Sequence, residues 1–361
     1  MGLSLGWFKQ LKQEWVIPEI TAERCVHSRC EVASCTRCVD SCPQDAWLLD
    51  DSGLRINTSR CDGCGLCVAA CPESALGQDL HPAKGMLDGC KTLLLACGRS
   101  KDGRTGDGVI PCLHALSPSW LLAHYHAGYQ QVLSSRGYCE TCPTYPGQDL
   151  LLSRLANIET LLASRTASLI THATLSSAQW EQAHQRLAPL VEVPPTNRRQ
   201  FFRQAMTLAV ETGIEYTQEF PTATAAAPWP TLLPAAQNPR TALYPFVPTL
   251  DTSTCNGCDA CALLCPHQAI TREKATNGQI SAYTFQPSHC TGCSICEDSC
   301  DQHAIRVKPM QVQQQAQVPL IPAHCQACGS PFHYPATDNA VQTHCRICAH
   351  TNHHRQLFQV Y

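Results

Sequence analysis

The chain has 361 residues, with 26 Lys+Arg against 29 Asp+Glu and a formal net charge of -3; no basic block stands out, which removes the electrostatic footprint expected of a nucleic-acid binder. Only 6% of the residues are aromatic and 25 are proline, so several small cores are expected rather than one large one. Twenty-six cysteines, in a chain too long to be a disulfide-stapled miniprotein, mean that something must occupy the thiols.

Met1 to Ile20 carries Lys9 and Lys12 without an apolar stretch of signal-peptide length, and the expectation is a cytoplasmic protein whose reducing surroundings favour metal thiolates over disulfides. No apolar run approaches the ~20 residues needed to span a bilayer, so membrane association is expected only through a partner. Nine cysteines follow between residues 25 and 76. Cys61, Cys64, Cys67 and Cys71-Pro72 read C-x2-C-x2-C-x3-C-P, and Trp47 to Leu49 with Leu54 to Ile56 form a predicted hairpin around Asp50 to Gly53. The run before it is irregular. Cys35, Cys38 and Cys42-Pro43 keep the spacing, but the first position falls on Val32; Cys30 is taken as the first cysteine, with Cys25 as its alternative.

Between residues 90 and 142 lie five cysteines. Cys97 ends the apolar run Thr92 to Ala96, Cys112 sits in Val109 to Leu113, and Cys139 and Cys142 follow Gln131 to Leu133; with a helix over Trp120 to Ala127 this predicts a small α/β unit that gathers the four thiols near its strand ends. They are either metal ligands or buried small hydrophobes. The loop Gly98 to Asp107 does not match G-x4-G-K-[ST] and reads as a solvated turn. Leu151, Leu155, Ile158 and Leu162 mark an amphipathic helix expected to run to about residue 188, a second helix is expected from Arg198 to Thr212, and the prolines and alanines of 221–250 read as a semi-rigid linker. Asn197 to Phe202 looks like a twin-arginine signal but precedes no apolar region.

The spacing then returns. Cys255, Cys258, Cys261 and Cys265-Pro266 repeat the full motif, and Cys290, Cys293, Cys296 and Cys300 repeat it with Asp301 in place of proline; Ala269-Ile270 and Ile280 to Phe285 pair around Asn277-Gly278. A Gln-rich linker is expected from Pro309 to Pro322. Cys325, Cys328, Cys345 and Cys348 form C-x2-C-x16-C-x2-C, a zinc-ribbon spacing that a single rubredoxin-like iron would also satisfy. His324, His344, His350, His353 and His354 are read as exposed or supporting residues, because four thiolates complete a tetrahedron.

Three thiolates two residues apart lie on one tight loop, and a fourth must come from elsewhere. These runs resemble the bacterial two-cluster ferredoxin family, in which the fourth cysteine of each run ligates the other cluster. The resemblance implies four [4Fe-4S] clusters: Cys30, Cys35, Cys38 and Cys71; Cys61, Cys64, Cys67 and Cys42; Cys255, Cys258, Cys261 and Cys300; Cys290, Cys293, Cys296 and Cys265. Over about fifty residues the middle cysteines resemble the delta-type iron-sulfur subunit of methanogen hydrogenase and heterodisulfide reductase complexes, which implies a [2Fe-2S] cluster on Cys97, Cys112, Cys139 and Cys142, with Cys90 in reserve.

The expected architecture is α+β and multidomain: a two-cluster ferredoxin module (1–80), an α/β domain (81–147), a helical segment (148–220), a linker (221–250), a second two-cluster module (251–308), a Gln-rich linker (309–322) and a zinc ribbon (323–361). No flavin or nicotinamide fingerprint, nucleophile motif or carboxylate pair is present. The expected role is electron transfer within or to a larger oxidoreductase, such as a hydrogenase, a formate dehydrogenase or another molybdenum enzyme. An assembly or maturation factor for such an enzyme is the alternative, and a disulfide-reducing middle domain is a third reading.

Overall fold

The computed structural model describes residues 17–50, 53–99, 104–190, 228–239, 241–336 and 341–351. The N-terminal module runs β1 (Glu19–Ile20), α1 (Arg37–Asp40), β2 (Trp47–Asp50), β3 (Gly53–Ile56), α2 (Leu66–Ala70) and β4 (Leu76–Gly77). β2 and β3 form the expected antiparallel hairpin with Trp47 opposite Ile56, and β1 pairs with β4. With so few apolar side chains, cysteines help to make the core: Trp47, Cys67 and Leu76 are buried together, with Cys38, Cys42 and Cys71 packed against them.

The middle domain contains β5 (Ala83–Leu87), β6 (Cys90–Cys97), β7 (Val109–Ile110), α3 (Pro118–His126), β8 (Gln131–Ser135), α4 (Leu150–Ala163), β9 (Thr171–Thr174), α5 (Ser177–Arg186) and β10 (Ala188–Pro189). The sheet order is β10-β5-β6-β8-β9, with β7 on β6. β6, β8 and β9 are parallel and β5 is antiparallel to β6. Alternation along β6 divides two cores: Leu93 and Leu95 pack with Leu121, Leu122, Leu155 and Ile158, whereas Leu94 and Ala96 pack with Trp180 and Ala183. Helix starts are well specified, by Ser117 before Pro118, by Asp149, and by a Ser176–Gln179 capping box.

The expected helix to residue 188 is therefore two helices separated by strand β9. The apolar spacing of α4 stops at Leu162, and Thr171 to Thr174 pair with β8, so the 148–220 segment, as far as Pro189, is the second half of the α/β domain. The helix expected from Arg198 to Thr212 and the twin-arginine-like segment lie outside the described residues.

The C-terminal part runs β11 (Leu243–Leu250), α6 (Ala260–Leu263), β12 (Ile270–Lys274), β13 (Ile280–Phe285), α7 (Ile295–Asp298), β14 (Ile305–Val312), β15 (Gln317–His324), β16 (Pro331–Pro335) and α8 (Arg346–His350). β12 and β13 form the expected hairpin, Ile270 opposite Phe285. Both expected linkers are corrected. Residues 243–250 form β11, which pairs with β14 along its length, and the Gln-rich 309–322 segment supplies the end of β14 and most of β15. The reason is alternation: Val318 and Leu320 are buried while Gln317 and Pro319 face out, which turns a polar-looking run into a half-buried strand. Trp229 and Leu232 pack on the middle domain, and Arg165 donates to the carbonyls of Pro234 and Leu243, so the residues just before β11 and its first residue lie against that domain instead of spanning space.

Among the described residues no helix is long and apolar enough to cross a membrane.

Candidate metal centres

Three cysteine loops share one backbone form. Gly63 and Gly65, Gly257 and Asp259, and Gly292 and Ser294 flank the second cysteine of their loops, and all six have positive φ, between 65° and 76°. This left-handed pair curls the loop so that its sulfurs face inward. A second repeat follows each fourth cysteine. Asp45, Ser74, Gln268 and His303 take positive φ, and the next residue, an alanine in all four cases, donates its N–H to the cysteine sulfur: Ala46 to Cys42 at 3.4 Å, Ala75 to Cys71 at 3.3 Å, Ala269 to Cys265 at 3.2 Å and Ala304 to Cys300 at 3.3 Å. A donor aimed at sulfur favours the thiolate. Sequence reading passed over these alanines, although each stands four residues after the fourth cysteine of its run.

The distant cysteines assemble as sets. Cys265, Cys290, Cys293 and Cys296 line one cavity of about 350 Å3. Cys67 feels the charges of Cys42, Cys61 and Cys64, and Cys261 those of Cys255, Cys258 and Cys300, so these two sets also converge. Burial pushes the thiols of Cys64, Cys67, Cys261 and Cys290 up to about 12. Burial there favours the protonated thiol, and a bound metal would supply positive charge that displaces the proton.

The irregular run differs. Its cavity, about 420 Å3, is lined by Cys35, Cys38, Cys71 and Cys25. Cys30 does not line it; it is buried with Val26 and Ile295. Ser34 and Thr36, which flank Cys35, lack the left-handed pair, and two 3-10 turns, Ala22–Arg24 and Val26–Ser28, bring Cys25 to the cavity. Of the two candidates for the first ligand, Cys30 and its alternative Cys25, this geometry favours Cys25.

In the middle domain Cys97, Cys112, Cys139 and Cys142 line one cavity of about 300 Å3 at the carboxyl edge of the parallel strands, together with His114 and Arg99. This is where α/β sheets place ligand sites. Cys90 is no reserve for it: the residue is exposed and starts β6, the strand that Cys97 ends. The loop read as solvated is anchored in its described part, for Arg99 pairs with Asp62 at 3.1 Å and ties the middle domain to the Cys61–Cys64 loop, where Cys64 packs with Cys112.

Cys325, Cys328, Cys345 and Cys348 bring four sulfurs within 4.8 Å of one another, and Cys328 and Cys345 are 3.9 Å apart. Tetrahedral zinc with Zn–S of about 2.3 Å requires sulfurs about 3.8 Å apart, so the donor set fits a single such ion. His324, His344 and His350 are exposed, while His353 and His354 lie outside the described residues. The quartet is joined to the Cys255–Cys261 loop through β16: His333 Nε2 lies 2.8 Å from Asp259, which also accepts from Tyr283 and Arg272.

The two cysteine-rich modules touch. Val26 and Cys30 pack against Ile295, with Cys35 and Cys293 at the edge of the same cluster. Ser34 N and Oγ donate to Asp298, and Arg37 Nη2 donates to the carbonyl of Gly292 at 2.8 Å.

Comparison with known proteins agrees with this chemistry. A 4Fe-4S dicluster domain model matches residues 254–300 and a 4Fe-4S binding domain model matches residues 54–77. The chain thus carries two ferredoxin-type domains of a kind that binds iron-sulfur clusters. It is also similar to the thiosulfate reductase electron transfer subunit PhsB of Salmonella typhi, 32% identical over 102 residues, which is 26% of this chain and 52% of that protein. The chain spans about half the length of this curated relative.

Proposed function

We propose that the protein is a multi-cluster electron-transfer subunit of a larger oxidoreductase, holding four [4Fe-4S] clusters on Cys25, Cys35, Cys38 and Cys71; Cys42, Cys61, Cys64 and Cys67; Cys265, Cys290, Cys293 and Cys296; and Cys255, Cys258, Cys261 and Cys300. The middle quartet, Cys97, Cys112, Cys139 and Cys142, takes a further [2Fe-2S] cluster, and the terminal quartet takes zinc. A cubane bound by four cysteines supplies one-electron transfer and offers no open iron to a substrate.

The observation that carries this reading is the order of the cysteine sets in space. Cys112 packs against Cys64; Cys67, Cys71 and Cys38 share the core around Trp47; Cys35 and Cys293 edge one apolar cluster; Cys296 and Cys261 are buried together. Each set therefore neighbours the next, from the middle domain to the second ferredoxin-type module. Unbroken succession is what a conduit needs and what a set of independent structural sites does not. The protein's own residues keep that path dry: Leu66, Trp47, Ile295 and Phe285 are buried along it. The similarity to an electron transfer subunit supports a partnered complex, whose other members would meet the ends of the succession.

Metal analysis with low-temperature EPR on anaerobically purified protein, before and after dithionite, tests this. About 18 irons and one zinc are expected, with reduced [4Fe-4S] signals, and about 16 irons would remove the middle [2Fe-2S] cluster from the reading. A fully loaded preparation with about 12 irons or fewer would remove at least one cubane from the reading.

A further inference from the structure

The two ferredoxin-type modules meet through equivalent positions of their repeats. Glu73 follows Cys71-Pro72 and His267 follows Cys265-Pro266, and across the boundary His267 Nε2 lies 2.8 Å from Glu73 Oε2. Thr291, between Cys290 and Gly292, donates its hydroxyl to Glu73 Oε1, and Arg29 Nη1 lies 3.3 Å from Oε2. The Glu73 side chain is 2% exposed. It lines the cavity of Cys25, Cys35, Cys38 and Cys71, and its partners His267 and Thr291 line the cavity of Cys265, Cys290, Cys293 and Cys296. One buried carboxylate thus borders both sites.

Docking alone does not call for this group. Val26, Cys30 and Ile295 already supply an apolar contact, and a buried carboxyl is costly unless paired and hydrogen-bonded. What the carboxylate adds is a fixed negative charge in a medium that screens poorly. We propose that Glu73 is the residue that sets the reduction potentials at the module boundary, holding the two centres on either side low relative to the outer two, with Arg29 as its partial counter-charge. Reduction adds one negative charge to a cluster, so a carboxylate beside it disfavours the reduced form. This inference rests on the cluster reading of the preceding subsection.

The test is a redox titration of the full-length, cluster-loaded chain followed by EPR, comparing wild type with Glu73→Gln and Arg29→Gln. Glu73→Gln keeps the side-chain shape and removes the charge; the midpoint potentials of two of the four cubanes are expected to rise while the other two hold. Arg29→Gln, at a side chain 28% exposed, unmasks the carboxylate and is expected to lower the same two. A purely structural role, in which either change loosens the boundary and admits water, moves both variants in one direction. That result, no shift, or an equal shift of all four would overturn the proposal. Should Glu73→Gln fail to load, the sign of the Arg29→Gln shift decides alone. Iron content of the wild type is measured first: a chain without cubanes defeats the cluster reading itself, whereas a loaded chain with unmoved potentials defeats only the role of Glu73.

Discussion

The two ferredoxin-type modules reach the same arrangement by different routes. In the C-terminal module both cysteine loops carry a left-handed pair, Gly257 with Asp259 and Gly292 with Ser294, and every sulfur of the set comes at regular spacing. In the N-terminal module only the Cys61 loop has such a pair; the other loop lacks it, and its fourth inward sulfur, Cys25, arrives through two 3-10 turns from ten residues before Cys35. A cluster site is therefore specified by where sulfurs point, and regular spacing is one way of meeting that demand. The departure also frees Cys30, which becomes part of the surface that binds the second module.

Breaking the irregular loop gives the largest expected effect. Cys25→Ser is expected to lower the iron content by about four atoms per chain, while Cys30→Ser leaves it unchanged; iron analysis of the two variants side by side distinguishes them, and the reverse pattern would restore Cys30 as the ligand. The terminal quartet sharpens the contrast between module and ribbon. Cys328→Ser should abolish zinc by mass spectrometry of metals and leave the iron count intact, because its four sulfurs belong to no cluster set; parallel loss of iron would show that the ribbon supports the second module's clusters.

Smaller effects probe the loops themselves. A Cβ on Gly257 would stand 2.0 Å from the His333 carbonyl oxygen, at φ +71°, so Gly257→Ala should destabilise the holo protein by about 1–3 kcal/mol. Gly329, at φ +74°, has nothing within 4 Å of such a carbon, and Gly329→Ala should cost about 1 kcal/mol from backbone strain alone. Thermal unfolding monitored by the visible absorbance of the clusters reads the first, and tryptophan-independent far-UV dichroism of the ribbon strands reads the second. Equal shifts would mean that the close approach of loop to ribbon contributes nothing. Least of all, Arg99→Gln, which breaks a partly exposed pair with Asp62, should cost about 0–1 kcal/mol by the same thermal assay.

How far the sequence could be read follows the range of the interactions involved. The hairpins around Asp50–Gly53 and Asn277–Gly278 were legible because turn residues and alternation act over a few positions. The Gln-rich strand β15 was not, since its polar face hides a period-2 pattern that has meaning only once β13 and β16 flank it. Strand β9 was lost for a similar reason: Thr171 to Thr174 is short and mostly exposed, and β8 is what makes it a strand. Glu73 gave no signal at all, as a lone acid after Cys-Pro reads as a solvated residue until a second module covers it.

By itself the sequence determined the cysteine loops, their twofold repetition and the terminal four-cysteine group, because three sulfurs within seven residues, or two pairs of C-x2-C, are gathered by backbone turns that close locally. The tertiary structure alone decided that Cys25 reaches the first cavity and that the modules touch at Glu73 and Ile295. Those choices join residues tens to hundreds of positions apart, and their outcome depends on which apolar surfaces are left to bury once the local loops have formed.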